Sequence, residues 1–259
     1  MEFVNMNNTL QNGFMLLEFM AESANECSVK ELAEHFKLPN SHVCRLLKTL
    51  AETGYVLQIP GSRKYRISLK ILCLSNARLL KLTLRQKARP YLQKLAIKLG
   101  NPVYLTAPFN GLSITIDTFF PENSAGDAGM AIGAVHLPNC HACGKICAAY
   151  LPENEIDDFL AGMDWTARTI HTITSPERFK LELAKIRQEK VATIVSENHQ
   201  GVGAVAAPIF NAAGELAGAV GAVMPAERYW TDGLWEKFKS ETRNTAESIS
   251  FAIGYPLPE

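Results

Sequence analysis

Apolar positions along this chain follow two periods, and the switch between them divides it. Up to about residue 99 they recur at helical spacing. Leu10, Phe14, Leu17 and Met20 or Ala21 form one stripe, Val29, Leu32, Ala33 and Phe36 a second, and Val43, Leu46, Leu47 and Leu50 a third. The breaks between stripes have chemical causes. Ser28 followed three residues later by Glu31 is a capping box, which starts a helix. Leu38-Pro39 stops that helix, because proline disfavours helical geometry in the residue before it. Asn40 or Ser41 caps the next helix, and Gly54 lies just past its end, where a left-handed residue usually closes one. Residues 55–69 alternate in strand fashion around the turn Pro60-Gly61-Ser62-Arg63-Lys64. Leu69 to Leu84 is leucine-rich without Gly or Pro and reads as one linker helix, apolar on two sides. Another helix runs from Arg85 to about Leu99 and ends at Gly100-Asn101-Pro102.

From residue 103 the pattern shortens to strands. They are predicted at 103–107, 112–119, 130–137, 191–196, 203–210 and 216–224, with Asn110-Gly111 as a hairpin turn and 121–129 as a loop. Helices are predicted at 143–150, 153–161, 176–189 and 231–253, the last with Leu234, Phe238, Thr242, Ala246, Ile249 and Ile253 inward. One sheet flanked by helices is an α+β domain.

The polar residues opposite the third stripe change the picture from helical to functional. Ser41, His42, Arg45, Lys48 and Thr49 share the free face of the second helix of a helix-turn-helix, and Arg63 and Lys64 sit at the tip of a following hairpin. Short polar and cationic side chains in front of an apolar back suit a DNA major groove, and two cations on a wing suit phosphates. Arg45 is the strongest candidate for a base edge, because a guanidinium pairs bidentately with guanine. Net charge is zero, yet residues 1–85 carry eleven Lys/Arg against seven Asp/Glu and the remainder fifteen against nineteen. A basic head and an acidic body fit that division.

These motifs resemble the IclR family of bacterial transcription regulators. The resemblance rests on Leu38-Pro39, Ser41, Val43-x-Arg45-Leu46-Leu47-x-x-Leu50, Gly54-Tyr55-Val56 and Gly61-Ser62-Arg63-Lys64-Tyr65-Arg66. It continues in Gly144-Lys145, Ala148, Leu151-Pro152, Thr172-Ile173-Thr174, Ala206-Ala207-Pro208-Ile209 and Gly214, and so covers about residues 8–254. Asn40 and His42 depart from the family pattern, where a basic residue and a threonine are common, so the operator sequence cannot be carried over. The resemblance implies a winged helix-turn-helix head over 1–68, a linker helix over 69–84 and a GAF-like effector domain over 85–259. It implies as partners a double-stranded DNA operator, a small-molecule effector of catabolic origin and further copies of the chain, as a homodimer and a dimer of dimers on DNA.

By the same resemblance an effector pocket falls on Ala142, Cys143, Ile194, Val202, Ala204, Gly221 and Val223. The family places a carboxylate, an Arg-Cys pair and serines near four of these positions, and this chain has none of them. Three readings stand open. The effector is larger and less polar; or it is held by other groups, with Tyr104, Thr106, His136, His141 and Ser196 as candidates; or the space is closed.

His136, Cys140, His141, Cys143 and Cys147 offer a second reading, a regulator that senses metal or oxidation through Cys140, Cys143 and Cys147. Buried packing is the plainer role for such cysteines. No Gly-x-Ser-x-Gly elbow, phosphate loop or dinucleotide fingerprint occurs, so neither an enzyme nor a cofactor is expected. With no apolar run of membrane-spanning length and no signal-peptide pattern, a cytoplasmic protein with reduced thiols and no membrane partner is expected.

Overall fold

The computed structural model describes residues 7–23, 26–122, 131–230 and 233–256. It divides into two compact units, Met1–Leu80 and Lys81–Glu259.

The first unit contains α1 (Asn8–Glu22), β1 (Cys27–Ser28), α2 (Val29–Phe36), α3 (Asn40–Glu52), β2 (Val56–Gln58), β3 (Lys64–Ile67) and α4 (Lys70–Leu79). Three helices close around Leu16, Leu17, Met20, Leu32, Val43, Leu46, Leu47 and Val56. The capping box expected at α2 is present: Glu31 N donates to Ser28 Oγ at 3.2 Å, and Ser28 N donates to Glu31 Oε2 at 2.6 Å. Burial of the α1 stripe differs from expectation. Gly13, Leu16, Leu17 and Met20 face the core, while Leu10 and Phe14 are exposed. Neither Asn40 nor Ser41 caps α3; Pro39 is the cap residue, and no side chain closes the turn. The strands form one antiparallel sheet in the order β1-β3-β2, so the wing has a third strand that the alternation of 55–69 could not reveal.

The predicted single helix over 69–84 is two. α4 ends at Leu79, and α5 (Thr83–Leu99) follows after a break in which Leu82 is extended. Tertiary contacts explain the break. Arg85 and Arg89 both pair with Asp117 at 3.3 Å, and Leu84 packs beside Gly218, which ties the start of α5 to the sheet. Pro90 therefore lies inside α5 rather than near its opening.

The second unit continues with β4 (Val103–Phe109), β5 (Leu112–Phe119), β6 (Val135–His136), α6 (Ala142–Ala149), α7 (Glu153–Ala161), α8 (Pro176–Glu189), β7 (Ala192–Val195), β8 (Val202–Phe210), β9 (Leu216–Pro225) and α9 (Leu234–Ala252). Its sheet is antiparallel in the order β6-β5-β4-β9-β8-β7, two three-stranded meanders joined where β4 pairs β9. Asn110 and Gly111 both take positive φ, 48° and 76°, as a two-residue hairpin requires. The strand expected over 130–137 contracts to Val135–His136, and residues 131–134 turn instead. Met130 and most of the expected 121–129 loop lie outside the described residues, as does Thr231 at the expected start of the last helix.

Side chains alternate across the strands, which separates two faces. One packs Tyr104, Ile194, Ala204, Ala206 and Ala219 under α6 and α8. The other carries α5 and α9, where Trp235, Phe238, Thr242, Ala246, Ile249 and Ser250 are buried. No described helix is long and apolar enough to cross a membrane.

Candidate DNA interface and effector site

α3 presents the predicted polar face. Ser41, Arg45, Lys48 and Thr49 are exposed, while Val43, Leu46 and Leu47 are buried behind them. His42 is half-buried and wired on both sides. Its Nδ1 lies 3.2 Å from Arg45 Nη2 and its Nε2 lies 3.2 Å from the Asn12 amide of α1. The guanidinium can only donate, so Nδ1 accepts; Nε2 then carries the ring proton, and the Asn12 amide is assigned with its oxygen toward it. His42 therefore positions Arg45. No pattern rule had given it that part, because the contact to Asn12 spans thirty residues. Thr49 Oγ1 donates back to Arg45 O at 3.1 Å and keeps its lone pairs for an external donor. Lys48 pairs only loosely with Glu52, at 4.0 Å and fully in solvent.

The wing tip is a tight turn. Ile59 N donates to Lys64 O at 2.9 Å, Ser62 N to Ile59 O at 3.1 Å, and Gly61 takes φ 73°. Arg63 and Lys64 are exposed there, while Tyr65 and Ile67 lean on the core of the head.

In the body, all eight residues of α6 are buried. Gly144 admits this helix: a Cβ on it would meet Leu137 O at 2.7 Å and Pro138 Cα at 2.9 Å. The predicted pocket positions largely converge. Ile194, Ala204 and Val223 stand in one row across β7, β8 and β9, facing Ala142 and Cys143 of α6. In the next row Gly221 lies opposite both Ala206 and Tyr104. Val202, at the very start of β8, is outside this cluster.

The Tyr104 ring fills the space that Gly221 leaves; a Cβ there would meet ring carbons at 2.5 and 2.6 Å and the hydroxyl oxygen at 2.8 Å. Tyr104 and Thr106 hydrogen-bond the Cys143 thiol, and burial pushes that thiol up to about 12. Burial likewise raises the Tyr104 hydroxyl. His136 lies 2.6 Å from Thr115 Oγ1, and its pKa is lowered by burial. Ser196 Oγ accepts from Gly201 N at 3.0 Å. His141 opens α6 as its cap residue, without a side-chain capping bond. Of the polar candidates, Tyr104, Thr106, His136 and Ser196 are thus engaged with the protein itself.

A buried ion group lies beside them that the sequence reading passed over. Lys145 Nζ is 3.1 Å from Glu182 Oε1, 2.8 Å from Glu197 Oε2 and 3.1 Å from Thr193 O. Burial raises the Glu197 carboxyl, an effect opposed by the Lys145 charge. The available signal was a single charge inside the apolar run 142–149, since a buried lysine must be paired.

The three cysteines of the alternative reading are buried. Burial holds Cys140 up at about 11 and raises Cys147 as well, which keeps both as thiols, the unreactive form. Among the described residues no three His, Cys, Asp or Glu side chains come together to hold a metal ion.

Comparison with known proteins agrees with this geometry. Residues 9–60 match the IclR helix-turn-helix domain, and residues 76–251 match the bacterial transcriptional regulator IclR C-terminal domain. An uncharacterized HTH-type transcriptional regulator of Haemophilus influenzae is 33% identical over 256 residues, spanning 96% of this chain and 94% of that one. The crystal structure of the Thermotoga maritima IclR aligns with a TM-score of 0.71 at 28% identity, over 96% of this chain and all of that one. An IclR homolog from Microbacterium hydrocarbonoxydans, solved in complex with 4-hydroxybenzoate, has the same fold with a TM-score of 0.77 at 16% identity, over 95% of this chain and 98% of that one. With an amphipathic reader helix, a basic wing and family matches across both units, the chain belongs to the IclR family of DNA-binding transcriptional regulators.

Proposed function

We propose that this regulator binds a specific operator through α3 and its wing, and that a small molecule taken up by the body tunes that binding. Ser41, Arg45, Lys48 and Thr49 reach the major groove, His42 holds Arg45 in position and also faces the groove, and Arg63 and Lys64 contact phosphates. The observation that carries this reading is the polar, solvent-facing side of α3 in a head whose other side is a closed core. The effector site falls on Ala142, Cys143, Ile194, Val202, Ala204, Gly221 and Val223, with Tyr104 turning away to admit a ligand. The 4-hydroxybenzoate complex of the Microbacterium homolog supports a small organic effector, consistent with a catabolic metabolite. The chain acts as a homodimer, and as a tetramer on DNA. Leu69, Leu72, Leu74 and Leu80, all exposed along α4 and its ends, supply an apolar surface for a second copy. Effector binding then shifts the population between arrangements that match two half-sites well or poorly.

Selection of bound DNA from a random-sequence pool by the full-length protein, followed by anisotropy titration of the enriched site, tests the reading. One enriched two-fold motif, bound about ten-fold or more weakly by Arg45→Ala, is the expected result. Recovery of no motif, or equal affinity of the variant, would overturn it.

A further inference from the structure

The opposite face of the body's sheet holds a cavity that the reading above does not use. It lies between β8 and the C-terminal half of α9 and measures about 400 Å³, a size that suits a small organic ligand. Its floor is small and apolar, formed by Ala207, Pro208 and Ala246, all buried. Its wall is aromatic: the rings of Phe210 and Tyr255 stand 5.5 Å apart.

The polar groups here differ from those under α6. Beneath α6 the hydroxyls and His136 are already paired within the protein. In the α9 cavity two cations, Arg243 and Lys190, line the wall. Arg243 Nε is buried and has no hydrogen-bond partner among the described residues, and its guanidinium makes no ion pair with them. A buried donor left without an acceptor is destabilising, so an arriving anion recovers that loss as binding energy. Lys190 is held at the rim by the left-handed turn, φ 53°, that ends α8. Glu247 is the one carboxylate in the lining and is exposed, so the wall keeps a net positive charge.

We propose that this cavity is a binding site for a small organic anion with an apolar body. The charged group sits on Arg243 and Lys190, and the body lies on the alanine floor against Phe210 and Tyr255. The site is separate from the positions under α6, on the far side of the sheet. It also adjoins the helix that holds α5, through the 2.6 Å Lys98–Glu241 ion pair farther along α9.

The test uses the full-length protein and two fluorescent probes of similar body, 8-anilinonaphthalene-1-sulfonate and the neutral N-phenyl-1-naphthylamine. One saturable sulfonate site per chain is expected. Arg243→Gln should weaken the sulfonate about ten-fold or more and leave the neutral probe's affinity unchanged, as loss of a charge-assisted contact requires. Ala246→Phe, which fills the floor, should remove both. Circular dichroism confirms that each variant is folded; Arg243→Gln alone decides the matter if Ala246→Phe is not. No saturable site, or sulfonate binding that Arg243→Gln does not change, overturns the proposal. Operator affinity measured without probe reports on the DNA reading independently.

Discussion

α3 and α6, the two helices that carry the proposed DNA and effector sites, are built in opposite ways. α3 has thirteen residues and buries three; α6 has eight and buries all of them. In α3 the functional face is the one facing water, so its chemistry can change without disturbing the core. In α6 every residue is part of the core, Ala142 and Cys143 of the candidate site among them, so any change there is felt by the fold.

The sharpest way to break this contrast is Lys145→Ala. It leaves Glu182 and Glu197 without their cation, and should cost about 3–5 kcal/mol of unfolding free energy in urea titrations. The deficit should depend on pH. Burial already raises the folded Glu197 carboxyl above its ordinary 4.5, and loss of Lys145 raises it further. The folded variant then binds more protons than the unfolded chain above that value, so its stability falls as pH rises. The gap from wild type should be smallest near pH 4.5 and widen toward neutrality. A constant gap would mean the carboxylates are relieved in some other way.

Gly144→Ala comes next. The added methyl meets backbone atoms of Leu137 and Pro138, which have little room to yield, and should destabilise by about 1–3 kcal/mol. On α3 the expectation reverses. Arg45→Ala should lower operator affinity by about 1–3 kcal/mol and leave the unfolding midpoint where it was. His42→Ala should cost less, about 0.5–1.5 kcal/mol, the worth of a typical hydrogen bond. In the Arg45→Ala background that loss should shrink, since part of His42's role runs through Arg45; additive losses in a double-mutant cycle would leave only a direct contact. The smallest effect is one of labelling. Iodoacetamide at pH 8 should modify exposed Cys44 on α3 and spare Cys143 and Cys147 on α6 until denaturant is added.

The same contrast explains what could be read in the sequence. An amphipathic helix announces both its type and its free face, and Ser41, Arg45, Lys48 and Thr49 could be placed from spacing alone. The capping box at Ser28 and the Asn110-Gly111 turn are local chemistry and were equally legible. A fully buried helix carries no such contrast. Nothing in the run 142–149 says that Lys145 meets carboxylates 37 and 52 residues away, or that Tyr104 covers Gly221. The break after Leu79 was hidden for a related reason, since it depends on Asp117 drawing Arg85 to the sheet and not on any residue that disfavours helix. Arg243 stood in an unremarkable helical stretch, and only the folded chain shows its guanidinium beside an apolar hollow.

The Lys145 group also has a mechanical consequence. It fastens α6 to α8 through Glu182, to β7 through the Thr193 carbonyl, and to the segment beyond β7 through Glu197. Sliding α6 by a fraction of an ångström would pull opposite charges apart where little water can screen them, so small displacements are resisted steeply. The helix therefore cannot act as a soft spring that yields in proportion to load. It either stays, or it moves as a block with its three anchors.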